Sequence, residues 1–155
     1  IYEFLKKKTK KKFYFFDDIN IENLEKFKKK ENPNKTLFLI ISKSGNTIET
    51  LINLLSLKIL KKNKKNIIII SEKKNNFLYS QAKKLDLFYI EHKNFIGGRY
   101  SVLSEVGLLP AYLMGFNIFK IRRNIKNFLT KKKGINYLKK SAINLANILT
   151  KKKTK

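Results

Sequence analysis

The residues best suited to chemistry lie in one stretch, Ile41-Ser42-Lys43-Ser44-Gly45-Asn46-Thr47-Ile48-Glu49-Thr50. Ser42, Ser44 and Thr47 offer hydroxyls that can donate to phosphate oxygens, and Lys43 adds positive charge and its own amide. Ahead of them, Thr36 to Ile41 is a short apolar run of the kind buried on both faces of a parallel sheet. Behind them, Ile48, Leu51, Ile52, Leu55 and Ile59 recur at spacings of three and four and predict a helix with one apolar face. A loop between such a strand and such a helix aims free backbone N–H groups and the positive end of a helix dipole at one point, which attracts phosphate. Capping competes with that reading, because Asn46 or Thr47, with Glu49 or Thr50 nearby, could cap the helix without any ligand. A nucleotide P-loop is excluded: Lys43 precedes Gly45, and no glycine lies upstream in the strand.

The second such stretch is Phe95-Ile96-Gly97-Gly98-Arg99-Tyr100-Ser101-Val102-Leu103-Ser104. Paired glycines let the backbone take positive φ and approach a ligand closely. Arg99 is the only arginine in the first 121 residues, and beside a phosphate loop it could steady a substrate anion or charge that develops during reaction. A surface arginine after a Gly-Gly turn is the plain alternative.

The elements that must position these residues alternate. Ile1 to Lys12 is a basic lead-in, read as a truncated helix, and the aromatic run Phe13 to Phe16 reads as a first strand. Ile21, Leu24, Glu25, Phe27 and Lys28 mark a helix face with Asp18 or Asn20 as cap, stopped near Pro33. After the strand and loop above, the next helix is expected to run into Lys61, Lys62 and Lys64, cations that suit a helix C-terminus. Ile67 to Ile70 reads as a central strand, Phe77 to Leu85 as a short helix and Leu87 to Ile90 as a fourth strand. Such alternation predicts a three-layer α/β/α sandwich with a mainly parallel sheet, doubly wound, whose ligands bind beyond the carboxyl ends of the strands. Both chemical stretches fall at that edge. A helix from Ser104 should kink or break at Pro110 and stop at Gly115. Ile118 to Leu129 and Ile135 to Leu149 read as two basic amphipathic helices, the last packing on the sheet, and residues 150–155 as a lysine-rich tail. The domain proper is thus expected over residues 13–149.

The chain has 155 residues, 43% of them hydrophobic, enough for one domain with a core, and no apolar run long enough to span a bilayer. It starts at Ile1 rather than Met and reads as a fragment of a longer protein. The absence of cysteine excludes disulfides and thiolate nucleophiles and is compatible with a cytoplasmic location. A formal charge of +25 invites a nucleic-acid reading. Against it, only Arg99, Arg122 and Arg123 are arginine; the rest of the 36 basic residues are lysines spread along the whole chain. They travel with Asn, Ile and Phe, all read from A- and T-rich codons, so genome composition is a sufficient explanation, and no specific nucleic-acid partner is expected.

Together the two stretches resemble the glucose-6-phosphate isomerase family. The match lies in Ser42 to Thr50 and, more specifically, in Gly97-Gly98-Arg99-Tyr100-Ser101-Val102-Leu103-Ser104 running on to Val106-Gly107-Leu108-Leu109-Pro110. The hydroxyl loop alone is similar to sugar-isomerase (SIS) phosphosugar domains in general; the Gly-Gly-Arg-Tyr-Ser stretch narrows it. The resemblance is read over Phe13 to about Leu149 and implies most of the first of two α/β domains of a dimeric enzyme. That enzyme interconverts glucose 6-phosphate and fructose 6-phosphate through a cis-enediol, without metal or organic cofactor. By position, Ser42, Lys43, Ser44 and Thr47 match the substrate-phosphate loop and Arg99 the arginine that stabilises the enediolate, with Gly98 and Glu49 close behind them. For Glu49, a dipole-stabilising place in the first helical turn is an equal explanation.

The resemblance also implies what is missing: the family's general-base Glu, ring-opening His and C-terminal Lys lie downstream of this chain, which on its own should bind sugar phosphate weakly and turn over nothing. Glu105, in the helix after Arg99, is not expected to substitute for the base. His92 does not match the catalytic histidine and reads as a strand-end residue. The rival from another class is a non-catalytic phosphosugar-sensing module of a transcription regulator.

Overall fold

A computed structural model describes Thr9 and residues 11–151. These fall into two compact units that divide between Met114 and Gly115. The first holds helix α1 (Ile21–Lys30), strand β1 (Phe38–Ile41), helix α2 (Ile48–Leu57), strand β2 (Ile67–Ser71), helix α3 (Phe77–Lys84) and strand β3 (Phe88–Glu91). A 3-10 helix (Gly98–Leu103) and helix α4 (Glu105–Leu113) complete it. The second unit is α5 (Ile118–Thr130) and α6 (Lys132–Lys151), packed on each other with Phe128 and Tyr137 edge-on at 6.0 Å.

The strands form one parallel sheet in the order β1-β2-β3, Phe38 in register with Ile67 and Ile68 with Phe88. With helices packed around it, this is the doubly wound α/β arrangement that the alternation requires. Ile67, Ile69 and Ile70 of β2 are almost fully buried, as a central strand covered on both faces must be. Phe27, Phe38, Ile40, Leu54, Leu78, Ala82 and Leu87 close the core around them.

Four expectations change. Phe13 to Phe16 is not a strand, and the sheet has three strands rather than four; the rings of Tyr14 and Phe16 meet Phe27 edge-on at 5.1 and 5.4 Å instead. Aromatic packing on α1 thus uses the side chains that the pattern assigned to a sheet. Helix α2 ends at Leu57 on a left-handed Lys58, short of Lys61 to Lys64. Its buried side is Asn53 and Leu54, with Leu51 and Leu57 against the core, while Ile48 and Leu55 are exposed. Apolar residues surround this helix, so spacing alone could not choose the face. Asn53 Nδ2 is turned inward, donating to the carbonyls of Phe16 (3.3 Å) and Asp18 (2.8 Å). Finally, α4 runs through Pro110 without a break, and Met114 donates to the Pro110 carbonyl at 2.9 Å.

Asn20 caps α1, its Oδ1 accepting from Asn23 N at 2.9 Å. In the second unit, Leu138, Leu145 and Leu149 of the last helix's stripe remain exposed. Among the described residues no helix is long and apolar enough to cross a membrane.

Candidate functional site

The ladder runs on past the strand ends and fixes the carboxyl edge. Ser42 N donates to Ile70 O (3.0 Å), Glu72 N to Lys43 O (3.0 Å) and His92 N to Ser71 O (2.8 Å). Glu72 and His92 therefore stand side by side with Lys43, Ser42 one register step behind them, just beyond the ends of β1, β2 and β3.

Within the loop the hydroxyls do not cap α2. Thr47 occupies the N-cap position but makes no side-chain capping bond. Its Oγ1 lies 2.7 Å from Ser42 Oγ and 3.4 Å from Ser44 Oγ. Ser42 is buried and also accepts from Gly45 N at 3.2 Å, so it supports the loop from within; Ser44 and Thr47 are exposed. The first-turn N–H groups of α2 are thus left without a side-chain partner beside two exposed hydroxyls, with Glu49 exposed in the same turn. Asn46 does cap a helix, but a different one: its Oδ1 accepts from Phe77 N at 2.8 Å, at the start of α3. Gly45 O accepts from Leu78 N at 3.2 Å, so the loop is stapled to that helix twice.

Lys43 turns away from the hydroxyls. Its Nζ donates to the carbonyls of Ile96 (2.8 Å) and Asn94 (3.2 Å) and lies 3.5 Å from Glu72 Oε1. It ties the loop after β1 to the loop after β3. Glu72 is buried and pairs at 2.5 Å with Lys74. The Lys74 hydrogen bond holds the Glu72 carboxyl below its ordinary range, with Lys43 adding to the effect against the opposing cost of burial. A carboxyl so depressed contributes stability that is present above its unfolded pKa and lost as pH falls through its folded one. Lys74→Met should move Glu72's titration back up toward the ordinary carboxylate range. Carboxyl 13C shifts followed against pH report this directly, and an unmoved midpoint would contradict the assignment of cause.

Arg99 sits in the 3-10 helix, exposed, with no ion pair or side-chain hydrogen bond among the described residues. The glycine pair does not use its freedom for positive φ: the left-handed glycines are Gly45 (φ +71°) and Gly115 (φ +91°), whereas Gly97 has φ −64°. A Cβ at Gly97 would come 3.1 Å from the ring of Tyr100, an exposed side chain with room to shift; at Gly98 it would meet nothing.

Sequence reasoning missed the pair formed by His92 and Glu105. His92 is 1% exposed, its Nδ1 bonded to Glu105 Oε1 and its Nε2 3.2 Å from Ile96 O. A lone His and a lone Glu thirteen residues apart carry no local signal. Only the return of the chain through the 3-10 helix brings them together.

The fold and edge define a class: a parallel α/β protein with a hydroxyl-bearing loop after its first strand and an exposed arginine in the 3-10 helix that follows its third. The family model for phosphoglucose isomerase matches residues 1–133, reaching further upstream than the resemblance read from the motifs and ending in the first turn of the last helix. Glucose-6-phosphate isomerase of Carboxydothermus hydrogenoformans is 36% identical over 113 residues, covering 69% of this chain and 24% of that protein. The enzyme of the same name from Methanocaldococcus jannaschii is 37% identical over 112 residues, covering 70% of this chain and 27% of that one. Among solved structures, a hypothetical protein from Thermus thermophilus superposes with a TM-score of 0.63 at 31% identity, over 69% of this chain and 27% of its own. The chain belongs to the phosphoglucose isomerase family and spans about a quarter of the length of these relatives.

Proposed function

We propose that this chain is the substrate-phosphate half of a glucose-6-phosphate isomerase site, in a cytoplasmic, dimeric enzyme of sugar-phosphate metabolism that uses no cofactor. The carrying observation is the uncapped start of α2 beside the exposed hydroxyls of Ser44 and Thr47. A phosphate there accepts from both hydroxyls and from first-turn amides, with Ser42 holding Thr47 in place and Lys43 contributing its backbone amide while its side chain ties the loop to Ile96. Arg99, unpaired and carried by Gly98, meets negative charge on the enediolate, where a fixed cation stabilises more than water does. Glu49 lies behind the loop. Glu105 and His92 are engaged with each other, so the proton-moving groups are assigned to the remainder of the enzyme, and this chain alone should show no turnover in a linked isomerase assay; robust turnover would overturn that assignment.

The loop assignment is tested by titrating a non-reactive phosphosugar analogue against wild type and the double variant Ser44→Ala, Thr47→Ala. Loss of two charge-assisted bonds should weaken binding by at least about tenfold. Equal affinity in the two proteins would refute it.

A further inference from the structure

We infer that Glu105, acting through His92, is a positioning residue that sets where Arg99 stands relative to the Ser42–Thr47 loop; the inference rests on the functional reading above. Ile96 O is the junction. It takes Lys43 Nζ at 2.8 Å and His92 Nε2 at 3.2 Å, which fills both lone pairs of one carbonyl. Neither a carbonyl nor a carboxylate has a hydrogen to give, so the ring is the donor in both contacts, Nε2–H to Ile96 O and Nδ1–H to Glu105 Oε1.

A continuous path results. The first turn of α4 holds the imidazole, the imidazole holds Ile96, and Ile96 holds Lys43 of the anion loop. Arg99 follows Ile96 by only Gly97 and Gly98, two residues with no side chain to fix their own course. Its place is therefore set at the ends of that short span: at Ile96 by His92 and Lys43, and beyond it by Ser101 Oγ donating to Gly98 O at 2.7 Å. The imidazole is buried, and Glu105 is the side chain that its Nδ1 meets among the described residues. Lys43 Nζ also bonds Asn94 O, so the loop end of the path is held twice while the α4 end depends on Glu105 alone. The functional loop and the arginine are joined through backbone and a buried ring, not through a direct contact.

Glu105→Ala and Glu105→Gln separate this role from a general structural one. Gln can still bond Nδ1 through its carboxamide, so it should restore what Ala loses. Each variant is titrated with an open-chain phosphosugar acid, whose carboxylate stands in for the enediolate, and with inorganic phosphate. Amide exchange at Tyr100 and Ser104 and the 15N shifts of the His92 ring are recorded in parallel. Ala should weaken the sugar acid about tenfold and phosphate less than about twofold, with exchange at both amides faster by about tenfold; Gln should stay within about threefold of wild type.

Wild-type affinity for the sugar acid and unchanged exchange in the Ala variant would overturn the inference, as would a Gln variant as impaired as Ala. Should the Ala variant fail to fold, the wild-type spectrum decides: an unprotonated Nε2 removes Ile96 from the path and overturns it, and a protonated one together with a near-normal Gln variant supports it. If wild type binds neither ligand, the functional reading fails on its own, and the exchange and 15N measurements still judge the positioning.

Discussion

Gly45→Ala is expected to be among the most damaging single substitutions in the first unit, costing about 3–5 kcal/mol and abolishing phosphosugar binding. Two effects add. The residue sits at φ +71°, where a Cβ costs about 1–2 kcal/mol. The same Cβ would lie 1.9 Å from Asn76 Oδ1 and 2.2 Å from its Cγ. Asn76 cannot yield cheaply, because it is buried, its Nδ2 donates to Glu72 O at 2.8 Å and its Oδ1 accepts from Tyr79 N at 2.9 Å. Relief of the clash therefore removes the cap of α3 or lifts the loop from that helix, and either change releases the hydroxyls from the α2 terminus. Urea denaturation of the variant checks the stability loss. Gly98→Ala, in open space, is the matched control and should lie within about 1 kcal/mol of wild type. Equal stability of Gly45→Ala and wild type would mean that the loop does not rest on Asn76 as described.

Arg99→Ala carries the largest expected effect on catalysis. In the full-length enzyme it should lower turnover by about 10²- to 10³-fold, the loss typical of removing one fixed partner of a developing anion. Stability should barely change, because the side chain is exposed and pairs with nothing among the described residues. Affinity for inorganic phosphate should also persist, since in the proposed function that contact belongs to Ser44 and Thr47. Arg99→Lys should recover only part of the activity, a point charge being a poor substitute for a planar fork. Linked isomerase assays and a thermal melt on the same preparations read both halves. Unchanged turnover would remove Arg99 from the mechanism.

These expectations depend unequally on what was legible in the chain. The hydroxyl loop was visible as residue types at a strand–helix junction, because a short apolar run and a helical spacing on either side of it are both local patterns. The roles inside the loop were not. Ser42 supports, Ser44 and Thr47 face outward, Asn46 caps a helix some thirty residues away, and Lys43 bridges to Ile96. The partners of Asn46 and Lys43 are distant in sequence, and no local spacing contains them.

The sequence by itself determined the alternation of helices and strands, the buried four-isoleucine strand and the motifs that join this chain to its family, since each rests on periodicity or residue type within a dozen positions. Tertiary structure decided the rest. The core at Phe27 claimed the rings of Tyr14 and Phe16, and α2 turned Asn53 inward to two carbonyls while leaving Ile48 outside. It also closed His92 onto Glu105 behind Arg99. In all three cases an apolar run or a lone polar residue had several locally acceptable placements. The choice among them was made by burial and hydrogen-bond satisfaction, and both depend on which segments the fold brings together.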